Sequence, residues 1–174
     1  MNGPSRRVAL TGILFALALA LSFLEGMVPI PVPFPGVKLG LSNIVVMYCV
    51  YAMGAGQAYL LGVLKALFVL MTRGMSGALL SLSGGLLSIT VMVLLRRFIF
   101  QQDHYTAISI GGAVAHNIGQ LVCAALLLGE SILLWYYLPV LAAVGVLVGA
   151  LTAVLLRNLL PVLAPFRTEP FANR

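Results

Sequence analysis

Val28-Pro-Ile-Pro-Val-Pro-Phe-Pro-Gly-Val-Lys-Leu-Gly-Leu-Ser-Asn-Ile44 decides how the chain divides. Pro29, Pro31, Pro33 and Pro35 stand at alternate positions. At each of them φ is fixed and the backbone donor is missing, so no helix continues through the run. It reads as a stiff, extended segment. The apolar runs before and after it are therefore separate helices. Lys38, Ser42 and Asn43 follow with a cation, a hydroxyl and an amide. A rigid loop that carries such groups between two apolar helices reads as a gate over a binding site.

Composition sets the solvent. Of the 174 residues 61% are hydrophobic and only 8% charged, and the mean hydropathy is +1.11. A soluble domain carries about 25% charge, so a surface this poor in charge belongs in lipid. The expected fold is an all-α integral membrane protein, a single transmembrane domain over 1–174. A span takes about 20 apolar residues, which leaves room for about six spans and no nucleotide-binding fold. No glycine-rich loop followed by Lys-Ser/Thr is present, so energy for any transport must come from a partner or an ion gradient. The net charge of +6 reports membrane topology rather than nucleic-acid binding. Cys49 and Cys123 lie in apolar runs without CxxC spacing and read as small core residues. The Arg6–Arg7 pair precedes an apolar run that reaches Glu25 without a small-residue cleavage site, which reads as an uncleaved first span.

Spans are expected over about 8–24, 39–53, 57–71, 78–95, 106–128 and 138–156, with an outer loop at 26–38 and a polar tail at 161–174. Turns are expected at 54–56 and 72–77. Arg6, Arg7, Arg96, Arg97, Arg157, Arg167 and Arg174 then fall on the side of the termini, and Lys38 and Arg73 on the other. Cytoplasmic loops carry the excess of Lys and Arg, so both termini are expected in the cytoplasm. The proline loop, Arg73 and the Trp135-Tyr136-Tyr137 cluster face outward.

Polar groups inside spans are costly and mark function by default. Lys65 sits within the third span, where it either snorkels to the outer interface or lines a site. His116, Asn117 and Gln120 share one side of the fifth span by their three- and four-residue spacings. They either hydrogen-bond between helices or line a cavity; a histidine at such a place also serves as a proton carrier. Ser83, with Ser81, Gly84, Gly85 and Ser88, suits close helix packing or backbone approach to a ligand. Gly12, Ala16 and Ala20 form a small-residue stripe on the first span, for packing within the chain or docking of another subunit. Lys38, Lys65 and Arg73 outnumber the outer acids Glu25 and Glu130, so the ligand is expected to be an anion: phosphate, diphosphate or carboxylate. The ligand-binding set is Lys38, Ser42, Asn43, Lys65, Arg73, Ser83, His116, Asn117 and Gln120. No span holds paired carboxylates, an Asp-rich motif or His/Cys metal spacing, so no catalytic residue, metal or cofactor is expected.

Val37-Lys-Leu-Gly-Leu-Ser-Asn-Ile44 together with Gly112-Ala-Val-Ala-His-Asn-Ile-Gly-Gln120 resembles the Gx transporter family, also labelled heptaprenyl diphosphate synthase component I. The six spans, the Ala16-x-x-x-Ala20 stripe and the outer loop resemble the substrate-binding (S) components of energy-coupling factor (ECF) transporters. The resemblance covers about 6–160. It implies a six-transmembrane-helix bundle of the S-component type in the bacterial inner membrane. It also implies a small anionic or amphipathic ligand, a vitamin or isoprenoid/quinone precursor, bound near the outer face. Ala16 and Ala20 would then contact a transmembrane coupling subunit driven by two ATPases, and Pro29 to Lys38 would gate the site. The synthase label implies instead a part in prenyl diphosphate or menaquinone metabolism, or in quinone-linked electron transfer. The chain lacks the aspartate-rich diphosphate–magnesium motifs of that chemistry, so the expected role is not enzymatic.

Overall fold

A chain in lipid must satisfy its own backbone, and an α-helix does so within one segment. The structure, a computed structural model, describes residues 4–27, 40–99, 104–129 and 132–163. All regular structure among these residues is helical. The elements are α1 (Pro4–Met27), α2 (Leu41–Ala52), α3 (Ala55–Leu94), a π-helical turn (Leu95–Ile99), α4 (Tyr105–Leu128) and α5 (Ile132–Leu163). By length and composition α1, α3, α4 and α5 can cross a membrane; α2, with 12 residues, is shorter. The proline stretch 28–39, including Lys38, and the tail beyond 163 lie outside the described residues.

α2 is the core. At 1.5 Å per residue it spans only about 18 Å, yet every side chain from Ile44 to Met53 is buried. A helix that is apolar all round belongs inside a bundle, and α1, α3 and α5 pack around this one. Gly40 opens it with φ 73, a left-handed conformation that glycine adopts at little cost.

α3 folds back on itself. The turn expected at 72–77 reduces to one residue: helix lies on both sides and Gly74 leaves it, with φ 78 and ψ −174. In a straight helix Tyr59 and Thr90 would be about 46 Å apart. Instead their hydroxyls hydrogen-bond at 2.9 Å. A Cβ placed on Gly62 would sit 3.0 Å from Ile89 Cδ1. The 55–73 and 75–94 segments therefore lie antiparallel, and the register set by these pairs puts Lys65 opposite Gly85.

Close backbone approach joins the later helices. In α5, Gly145-Val-Leu-Val-Gly149 is a GxxxG pattern, the small-residue seam by which membrane helices meet closely. It packs on Val114 and Ile110 of α4. On its other side α4 meets α3 through Gly119, whose added Cβ would lie 2.8 Å from the Ser83 carbonyl oxygen. α4 is thus held backbone to backbone between α3 and α5.

At the far end of α2 the π-helical turn directs Arg96 inward. Its guanidinium donates to the Val50 carbonyl and lies 4.9 Å from the centre of the Tyr51 ring. Tyr51 in turn packs against Tyr105 at 4.9 Å between ring centres. A cation at the carbonyl end of a helix is favoured by the helix dipole. Arg96→Met is expected to cost about 2 kcal/mol, from the charged hydrogen bond and the cation–π contact. Arg96→Lys recovers only part, because an ammonium cannot stack flat while donating. Unfolding in graded sodium dodecyl sulfate measures both.

Candidate ligand-binding cleft

The hairpin within α3 creates the cleft. Its first segment contributes Gly62 and Lys65, its second Ser81, Gly85, Ser88 and Ile89. Ser81, Gly85 and Ser88 recur at four and three residues and so share one helix face. α2 adds Asn43 and Val46 from its first turns, and α4 adds His116. The free space within the cleft is about 10 Å³, room for roughly one water molecule.

Lys65 is partly buried and donates from Nζ to Ser42 Oγ at 3.0 Å. It lies about 13 Å along the helix from Gly74. This bond ties the α3 hairpin to the start of α2, the turn that directly follows the proline stretch. Of the residues expected to bind ligand, Ser42, Asn43, Lys65 and His116 are thus brought together. Lys38 lies outside the described residues, and the remaining four are placed elsewhere. Asn117 donates from Nδ2 to the Leu141 carbonyl of α5 at 2.8 Å. Gln120 lies against Gly84, its Cγ 2.7 Å from where a Cβ on that glycine would be. Ser83 donates to the Leu80 carbonyl of its own helix at 3.2 Å. Arg73 is exposed beside the reversal at Gly74.

Asn117 is therefore a clamp between helices. Asn117→Leu is expected to lower stability by about 0.6 kcal/mol, the usual worth of such a bond in a membrane, and to leave ligand affinity unchanged. A titration and an unfolding curve on the same preparation separate the two effects.

Gly84 and Gly85 are adjacent and opposite in role. A Cβ on Gly84 would meet the His116 carbonyl oxygen at 2.9 Å, whereas one on Gly85 would meet nothing within 4 Å. The first glycine permits the α3–α4 contact that carries His116; the second leaves the cleft wall open. Neither role follows from spacing until the face turned toward α4 is known. Among the described residues no three His, Cys, Asp or Glu side chains gather into a metal-binding set.

On α1, Gly12, Ala16 and Ala20 are exposed, and a Cβ on Gly12 would meet nothing within 4 Å. The small-residue stripe is therefore not covered by the described part of the chain.

Four helices long and apolar enough to cross a membrane fit a multi-pass membrane protein. The family model described as Heptaprenyl diphosphate synthase component I matches residues 14–159. The chain belongs to that family. Neither the curated proteins nor the solved structures contain a match.

Proposed function

We propose that this chain is the substrate-binding membrane subunit of an ECF-type transporter, and that it binds and helps to import an anionic small molecule. The observation that carries the reading is Lys65, held within an apolar bundle at a cleft that also presents His116, the Asn43 amide and two serine hydroxyls. An intramembrane lysine is costly, and a cleft of hydrogen-bonding groups gives it a use. In this reading the α3 hairpin supplies two crossings, so α1 to α5 make a six-helix bundle with both termini in the cytoplasm. Lys38 and the proline stretch close the outer mouth. The open Gly12–Ala16–Ala20 face docks a coupling subunit that works with two ATPases in the bacterial inner membrane.

The test is purification from native membranes followed by mass spectrometry of intact complexes. Wild type is expected to carry a coupling subunit and ATPases, and the Ala16→Leu/Ala20→Leu variant to lose them. If that variant keeps its partners and its uptake, the docking face is wrong.

The family description favours a second reading, a non-catalytic accessory to prenyl diphosphate or menaquinone metabolism. Deleting the gene and measuring menaquinone separates the two: unchanged quinone leaves the transporter reading standing alone.

A further inference from the structure

We infer that one water molecule sits in the cleft and bridges Asn43 to Ser88, tying the start of α2 to the second segment of α3. Both residues line the cleft, and neither side chain hydrogen-bonds to another described residue. Ser88 is only 5% exposed. A buried hydroxyl without a protein partner is disfavoured, and ordered water commonly satisfies it. The neighbouring polar groups are already engaged. Lys65 donates to Ser42, and Ser83 and Asn117 donate to backbone carbonyls.

The space and its walls suit a water. The free space is about 10 Å³, the size of one such molecule. A bound water takes about two to four polar partners. The Ser88 hydroxyl both donates and accepts, and the Asn43 amide offers an acceptor on one atom and donors on the other. Gly85 lies three residues before Ser88 on the same face of α3. A Cβ there would meet nothing within 4 Å, so the wall beside Ser88 is open. On the α4 side Gly112 makes room, since its own Cβ would come 3.3 Å from Ser88 Oγ. Ser81 is too far away to share the molecule. It stands two turns, about 10 Å, along the helix from Ser88, whereas groups bonded to one water lie within about 6 Å of each other. The bridge complements the Lys65–Ser42 bond. That bond holds the first turn of α2 to the 55–73 segment; the water holds the next residue to the 75–94 segment. A ligand group that enters the cleft takes the water's place and has to replace its hydrogen bonds.

Magic-angle-spinning NMR of the full, nitrogen-15-labelled chain in sedimented lipid nanodiscs tests this by transferring magnetisation from water protons to side-chain amides. Asn43→Leu identifies the Asn43 signal. Asn117, whose amide donates to the Leu141 carbonyl, is the reference within the same spectrum. Wild type is expected to show transfer to the Asn43 amide and little to Asn117. Ser88→Ala, which adds no atom and places a better helix former in α3, is expected to lose the Asn43 transfer. Ser81→Ala is expected to keep it. Ser88→Cys, whose thiol is a weak donor and acceptor, carries the same comparison if the alanine variant does not fold. No transfer to Asn43 in wild type overturns the inference. So does transfer that survives the Ser88 variants, because the water is then held by other groups. Equal loss in Ser81→Ala overturns it as well, because a hydroxyl two turns away cannot share the bridge. The transporter reading is untouched by any of these results, since it is tested by the partners that co-purify.

Discussion

Gly149→Ala will cost about 3 kcal/mol or more, although it adds one methyl group to a helix in which alanine is the better helix former. The new Cβ would lie 2.5 Å from Ile110 Cα, 2.9 Å from Ile110 N and 3.0 Å from the Ser109 carbonyl oxygen. These are backbone atoms of α4, so no rotamer change makes room. The two helices have to move apart. That separation also loosens Gly145 from Val114 and stretches the Asn117–Leu141 hydrogen bond, which lies along the same seam. Gly12→Ala and Gly85→Ala are the controls, because their added methyls meet nothing within 4 Å. Both should be neutral or slightly stabilising in the same unfolding assay. A Gly149→Ala protein as stable as wild type would show that the seam is not backbone to backbone.

The stretch that divides the chain was legible because proline acts locally: it forbids helix whatever surrounds it. Residue type and hydropathy likewise reveal apolar helices and a lysine within one of them. What spacing does not reveal is the partner of a helix face. Gly145/Gly149 and Gly12/Ala16/Ala20 are the same kind of pattern. The first is filled by α4 and the second is covered by none of the described residues, and nothing in either stripe distinguishes them. Position 83 and positions 81, 85 and 88 differ by a rotation of the helix, so choosing Ser83 as a ligand group required knowing which side α4 covers. Arg96 reads as one more cytoplasmic charge by position. Only the folded chain shows it turned inward onto Val50 and Tyr51. Lys65 was ambiguous between snorkelling and lining a site. Its bond to Ser42 depends on the chain reversing at Gly54 between α2 and α3, and its place opposite Gly85 on α3 reversing at Gly74; which side chains then meet is a tertiary fact that a glycine permits without dictating.

Lys65→Met should weaken anion binding by roughly a hundredfold or more while leaving the fold as stable as wild type, or more so. Methionine keeps the length and most of the volume of lysine and removes the charge. For binding, losing one member of a desolvated charge pair costs about 2–5 kcal/mol, because the remaining charge is left without its partner. For folding, the balance runs the other way. A lysine at mid-membrane depth is disfavoured by about 2.5–3.5 kcal/mol on insertion scales, whereas one intramembrane hydrogen bond is worth about 0.6 kcal/mol. Replacing it therefore gives up the 3.0 Å bond to Ser42 and relieves a larger desolvation cost. A lysine kept for structure gives the opposite result, with stability lost and affinity kept. Lys65→Arg retains the charge but places a wide, planar guanidinium in a space fit for roughly one water, so it should bind weakly rather than not at all. Titration calorimetry with propionate, run beside sodium dodecyl sulfate unfolding on the same nanodisc-derived protein, reads both quantities. Undiminished affinity in Lys65→Met would move the anion site away from this cleft and leave Lys65 as a helix tether between α3 and α2.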